Sequence, residues 1–246
     1  VEHFDMNFAL NVNNLRKVYN NFILNGISFH VSPGSITGFI GKNGAGKSTT
    51  LKCILGLIVS YTGEIEILGE CSKLHSQSIN DRLGIVLDPV LFYENIQVKD
   101  MNYIMSKAYT QWNSKICYDY LEKFNISPNQ LIGQLSSGMK KQLSIIYALS
   151  HNADLLILDE PTSGLDPYVR NQICSILNAY VSKKNKSVLF STHIISDLEK
   201  SADQIIIINQ GQIVYNNSKD HLVNDVTADS SKGKANLEEC VLKYLE

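Results

Sequence analysis

The stretch Gly41-Lys42-Asn43-Gly44-Ala45-Gly46-Lys47-Ser48-Thr49 sets glycines, a lysine and two hydroxyls at the spacing G-x-x-x-x-G-K-[ST], the chemistry of a polyphosphate cradle. Gly41, Gly44 and Gly46 admit backbone angles that a side chain forbids. Consecutive N–H groups, those of Asn43 and Ala45 among them, can therefore turn inward around an anion. Lys47 is placed to reach β- and γ-phosphates, and Ser48 to offer its hydroxyl to an accompanying Mg²⁺, with Thr49 beside it at the helix start. A second constellation ends the apolar run Leu155-Leu156-Ile157-Leu158: the adjacent carboxylates Asp159 and Glu160, followed by Pro161. At the carboxyl end of a buried strand, Asp159 can hold Mg²⁺ through water and Glu160 can serve as general base beside a terminal phosphate. A third, Leu135-Ser136-Ser137-Gly138-Met139, puts a serine hydroxyl and glycine N–H groups ahead of a helical stretch, a second anion site.

A strand and a helix must flank the first loop, and the pattern supplies both: residues 35–40 read as a short buried strand, 48–56 as a helix apolar on one face. Upstream, the alternation of Leu10-Asn11-Val12-Asn13 and of 26–31, with Asn20-Asn21 as a turn signal, predicts antiparallel strands. Residues 64–69 and 83–87 predict two more strands. Between 88 and 150 the texture turns helical, at 98–109, 114–124 and 138–149, which predicts an inserted helical subdomain. Strands return at 154–158, 187–191 and 204–208 as continuous apolar runs, the mark of burial on both faces, separated by helices at 167–182 and 194–201. This alternation implies an α/β fold with a mainly parallel core sheet covered on both sides. Residues 225–236 read as a small, polar connecting stretch before an amphipathic helix carrying Leu237, Val241, Leu242 and Leu245.

A chain of 246 residues, 44% hydrophobic, can bury a real core. Its net charge of −2 gives no basic field, so nucleic acid is not an expected partner. The cysteines at 53, 71, 117, 174 and 240 form no C-x-x-C, so neither a zinc site nor a disulfide framework is expected, and a reducing cytosol suits them. The apolar runs at 54–59 and 205–208 are too short to cross a bilayer. Lys183-Lys184-Asn185-Lys186 reads as a solvated turn, Trp112 as a packing or partner-groove residue, and His3, His30, His75, His151 and His221 make no metal-ligand spacing.

Taken in order, these motifs resemble those of the nucleotide-binding subunits of ATP-binding cassette (ABC) transporters, over nearly the whole chain to about Asn217. Residues 41–48 match Walker A, and 155–160 match Walker B with its catalytic glutamate. Residues 135–139 resemble the family signature LSGGQ, Ser163-Gly164-Leu165-Asp166 matches the D-loop, and His193, after Ser191-Thr192, matches the switch histidine. Tyr19 stands where the family stacks an aromatic ring on adenine. The resemblance implies a P-loop NTPase (ABC ATPase) domain over 1–217, with an N-terminal antiparallel β-subdomain, the helical insertion at 88–150 and an extension at 218–246. It implies an ATPase using ATP and Mg²⁺, with Glu160, His193 and Lys47 as catalytic residues. Two such subunits, identical or related, would meet head to tail, so that Ser136 and Gly138 act on a nucleotide held by the partner and Asp166 crosses the interface. An integral membrane permease would be driven from the cytoplasmic side of the cell membrane, with Phe92, Tyr93 and the following helix as groove residues.

The chain departs from the family pattern at two places. Ser137 and Met139 alter the signature while Ser136 and Gly138 keep its phosphate contacts. Asp88, in Val86-Leu87-Asp88-Pro89, stands where the family carries a glutamine; a carboxylate there could help ligate Mg²⁺ but would repel a γ-phosphate. Acidic residues in this loop resemble ATPases of bacterial antimicrobial-peptide exporters and self-protection systems. The rival expectations are a soluble ABC ATPase acting on ribosomes or DNA, and a nucleotide-gated clamp with little turnover.

Overall fold

The computed structural model describes residues 8–71, 77–183, 185–229 and 236–246. Strands β1 (Leu10–Tyr19) and β2 (Phe22–Val31) pair antiparallel around the Asn20-Asn21 turn, from Tyr19 opposite Phe22 to Leu10 opposite Val31. Strand β3 (Ile36–Ile40) follows, then helix α1 (Lys47–Ile54). Strand β4 (Thr62–Ile67) returns to β1 antiparallel, and the short β5 (Glu70–Cys71) completes a four-stranded sheet in the order β2-β1-β4-β5. After helix α2 (Gln77–Arg82) and strand β6 (Leu83–Val86) comes the helical insertion: α3 (Val98–Ala108), α4 (Ser114–Lys123) and α5 (Ser137–Ser150). Strand β7 (Leu155–Asp159), helix α6 (Pro167–Val181), strand β8 (Ser187–Thr192), helix α7 (Ile195–Ser201) and strands β9 (Gln204–Asn209) and β10 (Gln212–Ser218) rebuild the core. Helices α8 (Lys219–Asp229) and α9 (Leu237–Leu245) close the chain.

The second sheet runs β10-β9-β3-β8-β7-β6, parallel from β9 to β6 with β10 antiparallel at one edge. Its middle strands are apolar on both faces because both faces are covered. In β9, Ile206 and Ile208 face the layer shared with β1, β2, β4 and α1, whereas Ile205 and Ile207 face the layer shared with α5, α6, α7 and α9. Leu155 and Ile157 against Leu156 and Leu158 divide β7 the same way. Each such side chain contributes about 1.5–3 kcal/mol of burial, so this sheet is the rigid plate on which the loops at its carboxyl edge are mounted.

Four features differ from the sequence reading. Strand β10 was not expected, since an edge strand reading Gln-Ile-Val-Tyr-Asn-Asn-Ser is buried only on one side. Helix α2 and the two-residue β5 are too short for a periodic signal. Residues 225–229 are the end of helix α8, anchored by Leu222 and Val226 one turn apart, while 230–235 lie outside the described residues. Lys186 is not solvated: 6% exposed, its Nζ donates to Asn152 O at 2.6 Å and lies 3.1 Å from Asp154, which Arg82 also holds at 2.7 Å. Lys184 of the same run lies outside the described residues. Burial alone would raise Asp154, but these two cations bring its carboxyl below the usual value.

Candidate active site

The loop between β3 and α1 turns on glycine. Gly44 and Gly46 have φ of +80° and +116°, left-handed conformations that other residues rarely adopt. A Cβ on Gly41 would lie 2.4 Å from the Ile208 carbonyl oxygen, so the loop is pressed against β9. Lys47 is 6% exposed and folds back over the loop, its Nζ donating to Gly41 O at 2.8 Å and to Lys42 O at 3.4 Å. Asn43, Gly44, Gly46, Lys47, Ser48 and Thr49 line one side of a cleft of about 710 Å³. Gly41 and Ala45 do not face it: Gly41 gives its carbonyl to Lys47, and Ala45 packs into the core while its N–H donates to Lys42 O. Tyr19, Asn21 and Phe22, from the β1–β2 turn, form the outer wall, with Lys17 Nζ 5.0 Å from the Tyr19 ring centre.

Opposite stand the acidic and imidazole groups. Asp159, 1% exposed, ends β7 and accepts a hydrogen bond from Ser191 Oγ on the adjacent β8. Glu160 turns out of the strand at φ +48°. Its N–H donates to Ser191 Oγ at 3.0 Å and to Ser191 O at 3.2 Å. Its carboxylate therefore points into the cleft, Oε1 3.6 Å from Lys47 Nζ and Oε2 2.8 Å from His193 Nδ1. Behind this pair, Thr162 Oγ1 donates to Asp197 Oδ2 at 2.6 Å, and Arg170 reaches Asp197 Oδ1 at 2.7 Å, tying the loop after Glu160 to the helix after His193. Asp88, at the exit of β6, lies at the rim of the same cleft, with Oδ1 3.0 Å from Lys141 Nζ.

Ser136, Gly138 and Asp166 lie outside this cleft. Ser136 caps α5, its Oγ accepting from Met139 N at 3.2 Å, and Gly138 sits against Leu165, whose Cδ2 a Cβ would approach to 3.1 Å. Gly138 and Ser137 line a second cleft of about 380 Å³, which shares Asp88 and Ser163 with the first. Asp166 caps α6, accepting from Tyr168 N at 3.0 Å and Val169 N at 3.1 Å. A third, apolar groove of about 270 Å³ runs beside the insertion, lined by Val90, Leu91, Phe92, Met105, Tyr109 and Tyr147. Tyr93, expected there, projects into solvent at 77% exposure and does not line it. Trp112 is a packing residue: its Nε1 donates to Asn102 Oδ1 at 3.0 Å and its ring lies beside Tyr147. The sequence reading missed Ser191, Asp197 and Lys141, whose partners are distant along the chain; for Ser191 the one signal was its place just before Thr192-His193.

Among the described residues, no group of three or more His, Cys, Asp or Glu forms a metal cage of its own. The hard-oxygen donors the sequence singled out are instead one hydroxyl, Ser48, which lines the cleft, and one buried carboxylate, Asp159, which ends β7 and does not line it. That hard-oxygen set suits Mg²⁺, which binds through one or two protein ligands and completes its shell with water and phosphate oxygens. No described helix is long and apolar enough to cross a membrane.

The chain is similar to known proteins over most of its length. Residues 24–163 match the family described as ABC transporter. The bacitracin transport ATP-binding protein BcrA of Bacillus licheniformis is 35% identical over 198 residues, covering 80% of this chain and 65% of its own length. The Nod factor export ATP-binding protein I of Burkholderia orbicola (strain AU 1054) is 35% identical over 208 residues, covering 81% of this chain and 67% of its own. The chain thus spans about two thirds of the length of these relatives. A solved structure described as the ATP binding subunit of an ABC transporter superposes with a TM-score of 0.86 at 25% identity, covering 97% of this chain and all of that one. With the phosphate loop, the paired carboxylates and the helical insertion set on one doubly covered sheet, the chain belongs to the ABC transporter family.

Proposed function

We propose that this chain is the ATP-binding and ATP-hydrolysing subunit of a transporter, pairing with a second nucleotide-binding subunit around Mg-ATP and driving a separate membrane permease. The observation that carries the reading is the Glu160 carboxylate, turned out of β7 and held between Lys47 at 3.6 Å and His193 at 2.8 Å at the mouth of the glycine loop. The loop amides, the N-terminus of α1 and Lys47 bind the polyphosphate, and Tyr19 at the outer wall takes the adenine. Ser48 and Asp159, with Asp88, would hold Mg²⁺. When bound, the ion offsets charge on the β- and γ-phosphate oxygens. Glu160 orients the attacking water and accepts its proton as the bond from the γ-phosphorus to the bridging oxygen breaks, giving ADP and phosphate. His193 contacts the γ-phosphate from the far side of Glu160.

The placement of Gly138 and Ser137 in a separate cleft, beside the helix cap formed by Ser136, supports the head-to-tail pair, since neither Ser136 nor Gly138 lines the cleft of its own glycine loop. Asp166, which caps α6, would reach across the same interface. The apolar groove at Phe92, Met105 and Tyr109 is offered to a cytoplasmic segment of the permease, which holds the subunit at the inner face of the cell membrane. The names of the relatives, bacitracin transport and Nod factor export, support export of amphipathic or peptide-like cargo.

Phosphate release and equilibrium binding of a fluorescent ATP analogue test this directly. Glu160→Gln is expected to cut turnover by about 10²–10⁴-fold, the scale of a lost general base, with nucleotide still bound. Lys47→Ala is expected to lose the binding itself. Turnover unaffected by Glu160→Gln would remove the catalytic assignment.

A further inference from the structure

Lys141 lies on α5, far in sequence from Asp88 and Glu160, yet its side chain ends where three segments meet: α5, the chain after β6 and the loop after β7. It is 8% exposed, and its Nζ has three acceptors: Asp88 Oδ1, Glu160 O and Ser163 O, each at 3.0 Å. An ammonium has three N–H donors, so this set uses its full capacity. The acceptors are not equivalent. Asp88 lies two residues past the end of β6, Glu160 is the water-orienting carboxylate in a left-handed turn, and Ser163 opens the loop to Asp166. The helix that supplies the ammonium is capped by Ser136 and carries Gly138 in its first turn.

From these contacts we infer that Lys141 is a positioning residue for hydrolysis, fixing the Glu160 backbone to the helix that carries Ser136 and Gly138 and neutralising Asp88 beside the phosphate cleft. The inference rests on the ATPase reading above. The Glu160 backbone is held at both of its peptides: its N–H donates to Ser191 and its carbonyl accepts from Lys141. Any displacement of α5 therefore moves the turn that aims the Glu160 carboxylate. A carboxylate at position 88 would otherwise repel a γ-phosphate across the rim of the cleft; the charge of Lys141 offsets it, which is how an acidic residue is tolerated in that loop. One ammonium thus joins the groups that act on a nucleotide of the opposite subunit to the base that acts on the chain's own.

The two roles separate by substitution. At saturating Mg²⁺, Lys141→Met is expected to raise KM for ATP, because Asp88 loses its counter-charge, and to lower kcat by about tenfold or more, because Glu160 is released. Adding Asp88→Asn is expected to return KM to that of Asp88→Asn alone while kcat stays low. Lys141→Arg, which keeps charge and donors, is expected to recover most of kcat. A second readout needs no turnover: in the nucleotide-free protein, amide exchange across 160–166 should speed up in Lys141→Met while 41–48 keeps its protection. Full recovery of kcat by Asp88→Asn in the Lys141→Met background would reduce Lys141 to a counter-charge and overturn the positioning role, as would unchanged exchange at 160–166. A wild-type chain that binds ATP without hydrolysing it would instead defeat the ATPase reading, and the exchange experiment would still decide Lys141.

Discussion

Glu160 holds a backbone conformation that costs a non-glycine residue about 1–3 kcal/mol, and the surroundings repay it with three hydrogen bonds, two from its N–H to Ser191 and one to its carbonyl from Lys141. Strain of this kind aims a side chain: the carboxylate leaves the strand direction and enters the cleft. Asp88 acts at the same scale. Its Oδ1 pairs with Lys141, and in the proposed site its second oxygen would be the one offered to Mg²⁺. Asp88→Asn is therefore expected to raise the Mg²⁺ concentration for half-maximal ATP turnover severalfold, read by titrating phosphate release with Mg²⁺; an unchanged midpoint would leave Asp88 as the partner of Lys141 alone. His151 offers a pH-dependent test of stability. It is buried against Tyr109, with Nδ1 3.1 Å from Tyr147 O and Nε2 3.0 Å from Leu83 O. Burial pushes its pKa below the ordinary 6.5, and Lys186 adds to this, against an upward pull from the two carbonyls and Asp81. The unfolded chain then takes up a proton that the native chain refuses. Stability is full above about pH 6.5 and falls as pH drops below it. Urea unfolding across pH 5–8 should show this slope, and His151→Phe should flatten it while lowering stability overall.

At the scale of elements, the phosphate loop works because β3, β9 and α1 leave it no other path. Gly41→Ala would drive a methyl group to 2.4 Å from Ile208 O, a backbone atom that cannot yield without parting the loop from β9. The expected result is weaker ATP-analogue binding and a melting temperature lower by several degrees, the scale of overpacking by about 1–3 kcal/mol; unchanged binding would show the loop to be more adaptable than its packing implies. These elements were legible in the sequence because their signals are local. Continuous apolar runs mark β7, β8 and β9 as doubly buried, and the glycine spacing with Lys47-Ser48 marks the loop. What the sequence concealed depends on distant partners. Lys141 looks like one more surface lysine after Lys140 until Asp88, Glu160 and Ser163 are brought to it. Lys186 hides in a lysine-rich turn although it is buried on Asp154. Strand β10 escapes because a half-exposed edge strand lacks the apolar run of its neighbours.

Across the whole molecule, the groups that handle phosphate are divided between two clefts that share only Asp88 and Ser163 at their border. Lys47, Glu160 and His193 face one; Ser137 and Gly138 face the other, beside the cap formed by Ser136. On the head-to-tail reading, a single chain arranged this way would hold half of two sites. Nucleotide is expected to complete both by joining two subunits, the division that the family resemblance of the ordered motifs implied. The most direct measurement is the molar mass of Glu160→Gln by light scattering on a sizing column, with and without Mg-ATP, since blocked hydrolysis preserves the nucleotide that bridges the pair. The account predicts a doubling of mass that requires both Mg²⁺ and ATP and that Ser136→Arg abolishes. A single-chain mass at saturating Mg-ATP, with nucleotide demonstrably bound, would contradict it.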